Sequence, residues 1–149
     1  TPHSYIGWGK TTHLGFGIPL MIGAKMAEPE KFCLNLMGDG AFGMSGTDIE
    51  TAARSGVAIT TVLLNNSAMA TYSGPSQGVI GPEARERYGV STMHGDYAKI
   101  AEGMGAVGIN VTKANAMAPA LREAQSLNLD GKTVLIDVHA NVEDRRSRF

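Results

Sequence analysis

Four short apolar segments alternate with helix-like segments along this chain, and this alternation constrains the fold more than any other feature. The strand-like segments are residues 32–37, 59–64, 107–111 and 133–138, and the β-branched segment 59–64 is typical of a strand buried on both faces. Strands that alternate with helices form parallel sheets, because each helix returns the chain to the same end of the sheet. The sequence therefore predicts an α/β fold, a mostly parallel sheet with helices on both faces.

The helices between these strands are predicted from their caps. Residues 15–27 are apolar nearly all round, which is typical of a buried helix, and residues 45–48 match a capping box that would begin the next helix. Asp96 and Asn115 are each predicted to cap a later helix. Residues 73–95 contain many glycines and prolines and are predicted to form a long loop with one helical turn.

The composition predicts one domain over residues 1–140, followed by a charged C-terminal tail over residues 141–149. Thirteen Lys and Arg residues against fourteen Asp and Glu residues give a net charge of −1, which argues against a nucleic-acid or acidic-membrane partner. No apolar run is long enough to span a membrane, and we recognise no basic leader with an apolar core that would indicate secretion. The one cysteine, Cys33, fits a reducing compartment, so we expect a cytoplasmic location.

Two polar motifs follow predicted strands at the point where each strand ends. A Gly-Asp-Gly motif (residues 38–40) follows the first strand, and after 24 further residues an Asn-Asn pair (residues 65 and 66) follows the second. Ligands of parallel sheets bind outside the carboxyl ends of the strands. Carboxylate and carboxamide oxygens suit a hard divalent ion, and glycines let backbone N–H groups approach a diphosphate. The alternative interpretation is a tight turn after one strand and an Asx-turn after the other.

The form and spacing of these motifs resemble the thiamine diphosphate signature, and the resemblance covers nearly the whole chain. The segments that match are residues 14–27, 38–44, 48–52, 62–66, 95–101 and 134–138. They are similar to the C-terminal, diphosphate-binding domain of acetolactate synthase-like enzymes, in the pyruvate oxidase and decarboxylase branch of the thiamine diphosphate family. The resemblance implies that the cofactors are thiamine diphosphate and Mg²⁺.

The resemblance also implies which residues hold the metal and the diphosphate. Asp39 and Asn66 would ligate Mg²⁺ through their side chains, and Ala68 would ligate it through its backbone carbonyl. Gly38 and Gly40 would allow the backbone to approach the diphosphate, with the Gly40 N–H group as a donor.

Further cofactor contacts are implied on both sides of these motifs. The Ala41 N–H group would also meet the diphosphate, although many relatives carry a serine there, so one hydroxyl contact is missing. Leu14 would lie under the cofactor and force its two rings into a V, and the Thr12 carbonyl would accept a hydrogen bond from the pyrimidine amine. Met69 follows the metal loop and is assigned to the same binding set.

No segment of this chain resembles the pyrimidine-binding domain, from which the family supplies an activating glutamate. We therefore assign no catalytic residue to this chain and expect it to form half of an active site. The resemblance implies that the pyrimidine-binding domain comes from the same or a second chain, in a homodimer or homotetramer.

The activity implied by the resemblance is decarboxylation of a 2-oxo acid with carboligation to a second carbonyl. Two alternatives stay open from the sequence. One is a simple 2-oxo acid decarboxylase or the subunit of a split one. The other is a non-catalytic module that binds a diphosphate or a nucleotide on the same sheet architecture.

Overall fold

A computed structural model of the chain describes residues 4–7, 13–68, 82–89 and 92–142. Its four strands are parallel and form one sheet in the order β1-β2-β4-β3. They are β1 (Leu34–Gly38), β2 (Thr60–Asn65), β3 (Val107–Val111) and β4 (Val134–His139). The predicted parallel sheet is confirmed, and each strand begins and ends within two residues of its predicted bounds.

Six α-helices are described along these parts of the chain, with a 3₁₀ turn (Ala114–Ala116) before the last. They are α1 (Gly17–Ala27), α2 (Asp39–Ser45), α3 (Asp48–Arg54), α4 (Pro82–Tyr88), α5 (Tyr97–Gly103) and α6 (Met117–Leu129). None of these helices is long and apolar enough to cross a membrane. The predicted helical turn within residues 73–95 corresponds to α4.

Both faces of the sheet are covered by helices, as predicted. Successive residues of a strand point to opposite faces, so Leu63 and Leu135 pack into a core with α1, α2, α3 and α5. Val62 and Ile136 pack into a second core with α6. The fold class predicted from the sequence is therefore confirmed.

Strand β1 lies at one edge of the described sheet and is covered on one face only. Leu36 is aligned with Val62 of β2, so it points to the face that α6 covers. Helix α6 contacts β2, β3 and β4, and Leu36 is 63% exposed while Leu34 is 39% exposed. An apolar strip on β1, formed by Leu34 and Leu36, is thus left exposed on the same face as α6.

The start of α3 corrects the prediction of a capping box at residues 45–48. Helix α3 begins at Asp48, its N-cap is Thr47, and no side chain caps it. Ser45 instead ends α2, and its hydroxyl donates a hydrogen bond to the Gly15 carbonyl. The sequence did not predict α2, because its glycines disfavour a helix. The burial of Phe42 in the core outweighs that preference.

The other predicted caps have opposite outcomes. Asp96 caps α5 as predicted, because its side chain accepts a hydrogen bond from the Lys99 N–H group. The prediction for Asn115 is wrong, since it lies within the 3₁₀ turn and Ala116 occupies the N-cap of α6 without a side-chain bond. The predicted tail falls largely on residues 143–149, which lie outside the described residues.

Candidate functional site

The two predicted polar motifs lie at the same end of the sheet. Gly38, the last residue of β1, is aligned with Leu64 of β2, one residue before the Asn-Asn pair. On the other side of β2, Asn65 is aligned with His139 at the end of β4. The parallel register therefore brings the residues after β1 and β2 to one edge, which is where ligands of such sheets bind.

Asp39 is a buried carboxylate with one unpaired oxygen. It is the first residue of α2 and is 3% exposed. Its Oδ1 accepts a hydrogen bond from the Gly40 N–H group at 2.9 Å, whereas its Oδ2 has no hydrogen-bond partner among the described residues. Burying an ionised carboxylate without a partner is costly. A cation at Oδ2 would offset that cost, so Asp39 fits the metal site predicted for it.

Asn66 and Ala68 form a tight turn directly after β2. The Asn66 Oδ1 accepts the Ala68 N–H group at 3.1 Å, and Ser67 between them has a positive φ of 56°. This is the Asx-turn of the alternative interpretation. The turn is also compatible with Asn66 Oδ1 as a metal ligand, because an amide oxygen has two lone pairs and the bond from Ala68 uses one of them.

Asn65 is a residue of the site that the sequence analysis did not assign. Its side chain is buried, and its Oδ1 accepts hydrogen bonds from the N–H and hydroxyl groups of Ser67 at 3.3 and 3.4 Å. Its Nδ2 donates to the Gly95 carbonyl at 3.5 Å. Neighbouring residues at a strand end point in opposite directions, which was the available signal that the two asparagines would have different roles.

The predicted diphosphate residues lie in the first turn of α2. Gly38 is the N-cap in an extended conformation, and Gly40 and Ala41 follow Asp39. N–H groups in the first turn of a helix have no acceptor within that helix, and they suit an anion. The Gly40 N–H group is already bonded to the Asp39 carboxylate.

Leu14 lies in a loop that packs against α2. A side-chain Cβ at Gly15, which has a φ of 90°, would lie 2.9 Å from the Met44 Cβ and 3.4 Å from the Ala41 carbonyl oxygen. Leu14 is 40% exposed at a cavity of about 610 Å³. The cavity is lined by His13, Leu14, Gly15, Phe16, Pro19, Met44 and Ser45. Thr12 and Met69, the remaining predicted cofactor residues, lie outside the described residues.

Tyr97 lies near the buried carboxylates Asp39 and Asp137 at this end of the sheet. Its ring packs edge-on against Phe42, with 5.3 Å between the centroids. Burial raises the pKa of its phenol, and the negative charges of Asp39 and Asp137 raise that pKa further. Residues 13–68, 82–89 and 92–142 hold no group of three or more His, Cys, Asp or Glu side chains suited to a metal ion. The predicted ligand set contains one carboxylate, so it does not require such a group.

Comparison with known proteins decides the family. Residues 1–138 match the model of the thiamine pyrophosphate enzyme, C-terminal TPP binding domain. The chain belongs to this family. The match confirms the resemblance noted in the sequence and identifies the chain as a thiamine diphosphate-binding domain.

Individual relatives of this TPP-binding domain are much longer than the chain. It is 39% identical over 127 residues to the putative thiamine pyrophosphate-containing protein YdaP of Bacillus subtilis, covering 84% of the chain and 21% of that protein. It is 29% identical over 140 residues to the acetolactate synthase large subunit of Haemophilus influenzae, covering 94% of the chain and 24% of that protein. The chain therefore spans between a fifth and a quarter of the length of these two relatives.

A solved structure agrees with this assignment. The thiamine diphosphate-dependent 4-hydroxybenzoylformate decarboxylase of Rhodococcus jostii superposes with a TM-score of 0.73 at 27% identity. The similarity covers 89% of the TPP-binding domain described here and 24% of the decarboxylase chain. The α/β fold is thus shared with an enzyme of the thiamine diphosphate family.

Proposed function

We propose that this domain holds thiamine diphosphate through Mg²⁺ at the carboxyl ends of β1 and β2. The observation that carries the proposal is the buried Asp39 Oδ2, which has no hydrogen-bond partner among the described residues. Asp39 and Asn66 would ligate the ion through their side chains, and Ala68 would do so through its carbonyl. Oxygen donors of this kind are those that Mg²⁺ prefers, with phosphate oxygens and water filling its other positions.

The remaining predicted residues would bind the organic part of the cofactor. The backbone at Gly38, Gly40 and Ala41 would receive the diphosphate at the start of α2. Leu14 would support the rings from its place at the cavity beside α2. The carbonyl of Thr12 and the side chain of Met69 complete the proposed set on the basis of the resemblance.

The residues of this chain would bind and orient rather than transfer protons. Thiamine diphosphate, when bound, supplies an electron sink for breaking the bond between the carboxylate and the carbonyl carbon of a 2-oxo acid. The chain's own apolar residues, Leu14 among them, would keep water from one side of the rings. A pyrimidine-binding domain, in the same chain or in a second copy, would supply the activating glutamate. The site would therefore be complete only in a longer protein, as a homodimer or homotetramer.

The reaction proposed for the longer protein is decarboxylation of a 2-oxo acid followed by carboligation. The acetolactate synthase large subunits among the relatives support it. A simple 2-oxo acid decarboxylase is the second candidate, and the structural similarity to a 4-hydroxybenzoylformate decarboxylase favours it. We also propose a cytoplasmic location, which the single, buried Cys33 supports.

A titration separates cofactor binding from nucleotide binding. The chain is titrated calorimetrically with thiamine diphosphate or with ADP, each with Mg²⁺ and with EDTA. We expect thiamine diphosphate to bind at least about tenfold more tightly than ADP, a difference of about 1.4 kcal/mol, and only with Mg²⁺. Tighter binding of ADP would instead support the non-catalytic nucleotide module.

The variant Asp39→Asn tests the metal ligand directly. We expect Mg²⁺-dependent binding of thiamine diphosphate to weaken by about 100-fold, which corresponds to about 2.7 kcal/mol. The free energy of unfolding should stay the same or rise, because a buried carboxylate oxygen without a partner is removed. Asp130→Asn, the same change at an exposed position, is the matched control. Unchanged binding in Asp39→Asn, or a loss of folding, would contradict the assignment.

Assays with substrate test whether this chain is half of a site. With thiamine diphosphate, Mg²⁺ and pyruvate, we expect no release of carbon dioxide by the chain alone. Clear turnover would contradict the need for a second domain. This result is independent of the binding titration, so cofactor binding and incomplete catalysis are tested separately.

A further inference from the structure

Asp137 is a buried carboxylate that the proposed function does not use. It lies in β4 and is fully buried. Its Oδ2 accepts a hydrogen bond from the Tyr97 N–H group at 3.0 Å, whereas its Oδ1 has no partner among the described residues. Asp137 is aligned with Leu63 of β2, so its side chain points to the face on which α5 packs.

The segment before α5 is joined to the loop after β2 by three contacts. The Gly95 carbonyl accepts a hydrogen bond from the Asn65 side chain at 3.5 Å. The Met93 N–H group donates to the Ser67 carbonyl at 2.9 Å. Residue 92 pairs with residue 68 in an isolated antiparallel bridge. Residues 92–97 are therefore held between β4 on one side and the loop 66–68 on the other.

We infer that Asp137 is a positioning residue for the Mg²⁺ and diphosphate site. By fixing the N-terminus of α5, it fixes residues 92–95, and these in turn support the loop that presents Asn66 and Ala68. The inference rests on the proposed function to the extent that this loop holds the metal. A carboxylate suits the role, because a hydrogen bond from a backbone N–H group to an ionised acceptor is stronger than one to a neutral acceptor.

A purely structural role for Asp137 predicts a different result from a positioning role. In that case its loss would lower stability without a specific effect on the loop 66–68. Thr133 provides the comparison, because it directly precedes the same strand and its Oγ1 donates one hydrogen bond to the Val57 carbonyl at 2.9 Å. Thr133→Val removes that bond at the opposite end of the sheet from the site.

The first experiment measures amide hydrogen exchange and needs no cofactor. In Asp137→Ala, we expect the Tyr97 and Met93 amides to exchange at least about tenfold faster, while amides of β2 and β4 keep their protection. Asp137→Asn retains an acceptor and should restore protection. Uniformly faster exchange across the chain, or unchanged exchange at Tyr97 and Met93, would overturn the inference.

The second experiment measures the Mg²⁺ concentration for half-maximal binding of thiamine diphosphate. We expect Asp137→Ala to raise it about tenfold, the size of effect seen when groups that orient metal ligands are lost. Asp137→Asn should stay within about threefold of the unaltered chain, and Thr133→Val should not change it. An equal loss in Thr133→Val and Asp137→Ala would overturn the positioning role.

A further variant keeps the inference testable if Asp137→Ala does not fold. Asn65→Ala breaks the contact with Gly95 from the end of β2 and also removes the two hydrogen bonds from Ser67. It should therefore also raise the Mg²⁺ requirement about tenfold. The Tyr97 amide should stay protected in this variant, because its bond to Asp137 is intact. An unchanged Mg²⁺ requirement would overturn the inference. If the unaltered chain binds no thiamine diphosphate, the proposed function fails, while hydrogen exchange still tests the link from Asp137 to the loop.

Discussion

The two ends of the sheet differ in whether their buried polar side-chain atoms have hydrogen-bond partners. At the amino end, Asn128 of α6 accepts a hydrogen bond from the Thr60 hydroxyl at 2.9 Å. It also donates to the carbonyls of Ile59 and Lys132, at 3.3 and 2.8 Å. The start of β2 and the turn before β4 are thereby joined to the end of α6 through one side chain that uses its donors and its acceptor.

At the carboxyl end, by contrast, buried oxygens are left without partners. Over residues 4–7, 13–68, 82–89 and 92–142, the buried side-chain polar atoms that lack a hydrogen bond are Asp39 Oδ2 and Asp137 Oδ1, and both lie toward this end. Buried polar groups are nearly always paired in folded proteins. The amino end is therefore arranged for stability, whereas the carboxyl end keeps acceptors at the expense of stability, as is expected of a binding site.

The largest effect on stability should come from the amino end. Asn128→Ala removes three hydrogen bonds and takes away the acceptor of the buried Thr60 hydroxyl, whereas the Ile59 carbonyl keeps its bond from the Val134 N–H group. We therefore expect the free energy of unfolding to fall by about 3 kcal/mol. Urea denaturation measures this change, with the exposed Gln125→Ala on the same helix as control. Binding of thiamine diphosphate at low temperature should stay unchanged. A parallel loss of affinity would show that the two ends are not independent.

A smaller effect is expected for a backbone change beside the site. Gly15→Ala places a Cβ at a φ of 90° and 2.9 Å from the Met44 Cβ, which should lower the free energy of unfolding by about 1–2 kcal/mol. The loop with Leu14 must then move, so affinity for thiamine diphosphate should fall several-fold. Gly23→Ala is the matched control, because nothing lies within 4 Å of its Cβ. Unchanged affinity in Gly15→Ala would show that this loop does not contribute to binding of thiamine diphosphate.

The smallest effect should be a pH dependence at the cap of α5. The side-chain hydrogen bond with Lys99 lowers the pKa of Asp96, and the bond from the Lys99 backbone lowers that pKa further. A lowered folded-state pKa contributes stability above the unfolded value of about 3.9, and the contribution is lost as the pH falls through the folded value. Urea denaturation from about pH 6 to 2 should therefore show that the free energy of unfolding falls more steeply with pH in the unaltered chain than in Asp96→Asn. The difference should shrink in salt, because the pair is exposed. Equal slopes would contradict this prediction.

The strands could be predicted from the sequence because their apolar and β-branched residues are typical of buried strands. Helix α2 could not, because its short glycine-containing segment has little helical preference of its own. The helix depends on packing of Phe42 against Tyr97, a contact between residues distant in the sequence. Local patterns cannot report such contacts.

Part of the candidate site could likewise be predicted from the sequence, and part could not. The convergence of Asp39 and Asn66 at one end of the sheet follows from parallel topology, so their motifs were enough to predict it. The hydrogen-bond partners of the Asn65 and Asp137 side chains could not be predicted, because they depend on where the N-terminus of α5 lies. An aspartate inside an apolar strand gives no indication that its partner is a backbone amide 40 residues earlier.

The uncovered strip on β1 has a practical consequence for handling this chain in solution. An edge strand offers unpaired N–H and C=O groups to any other strand, and exposed leucines add an apolar attraction to that pairing. Leu34 and Leu36 supply that apolar surface on β1. Concentrated samples of the chain should accordingly be prone to aggregation, and a lysine in place of Leu36 would suppress it by charge repulsion between copies.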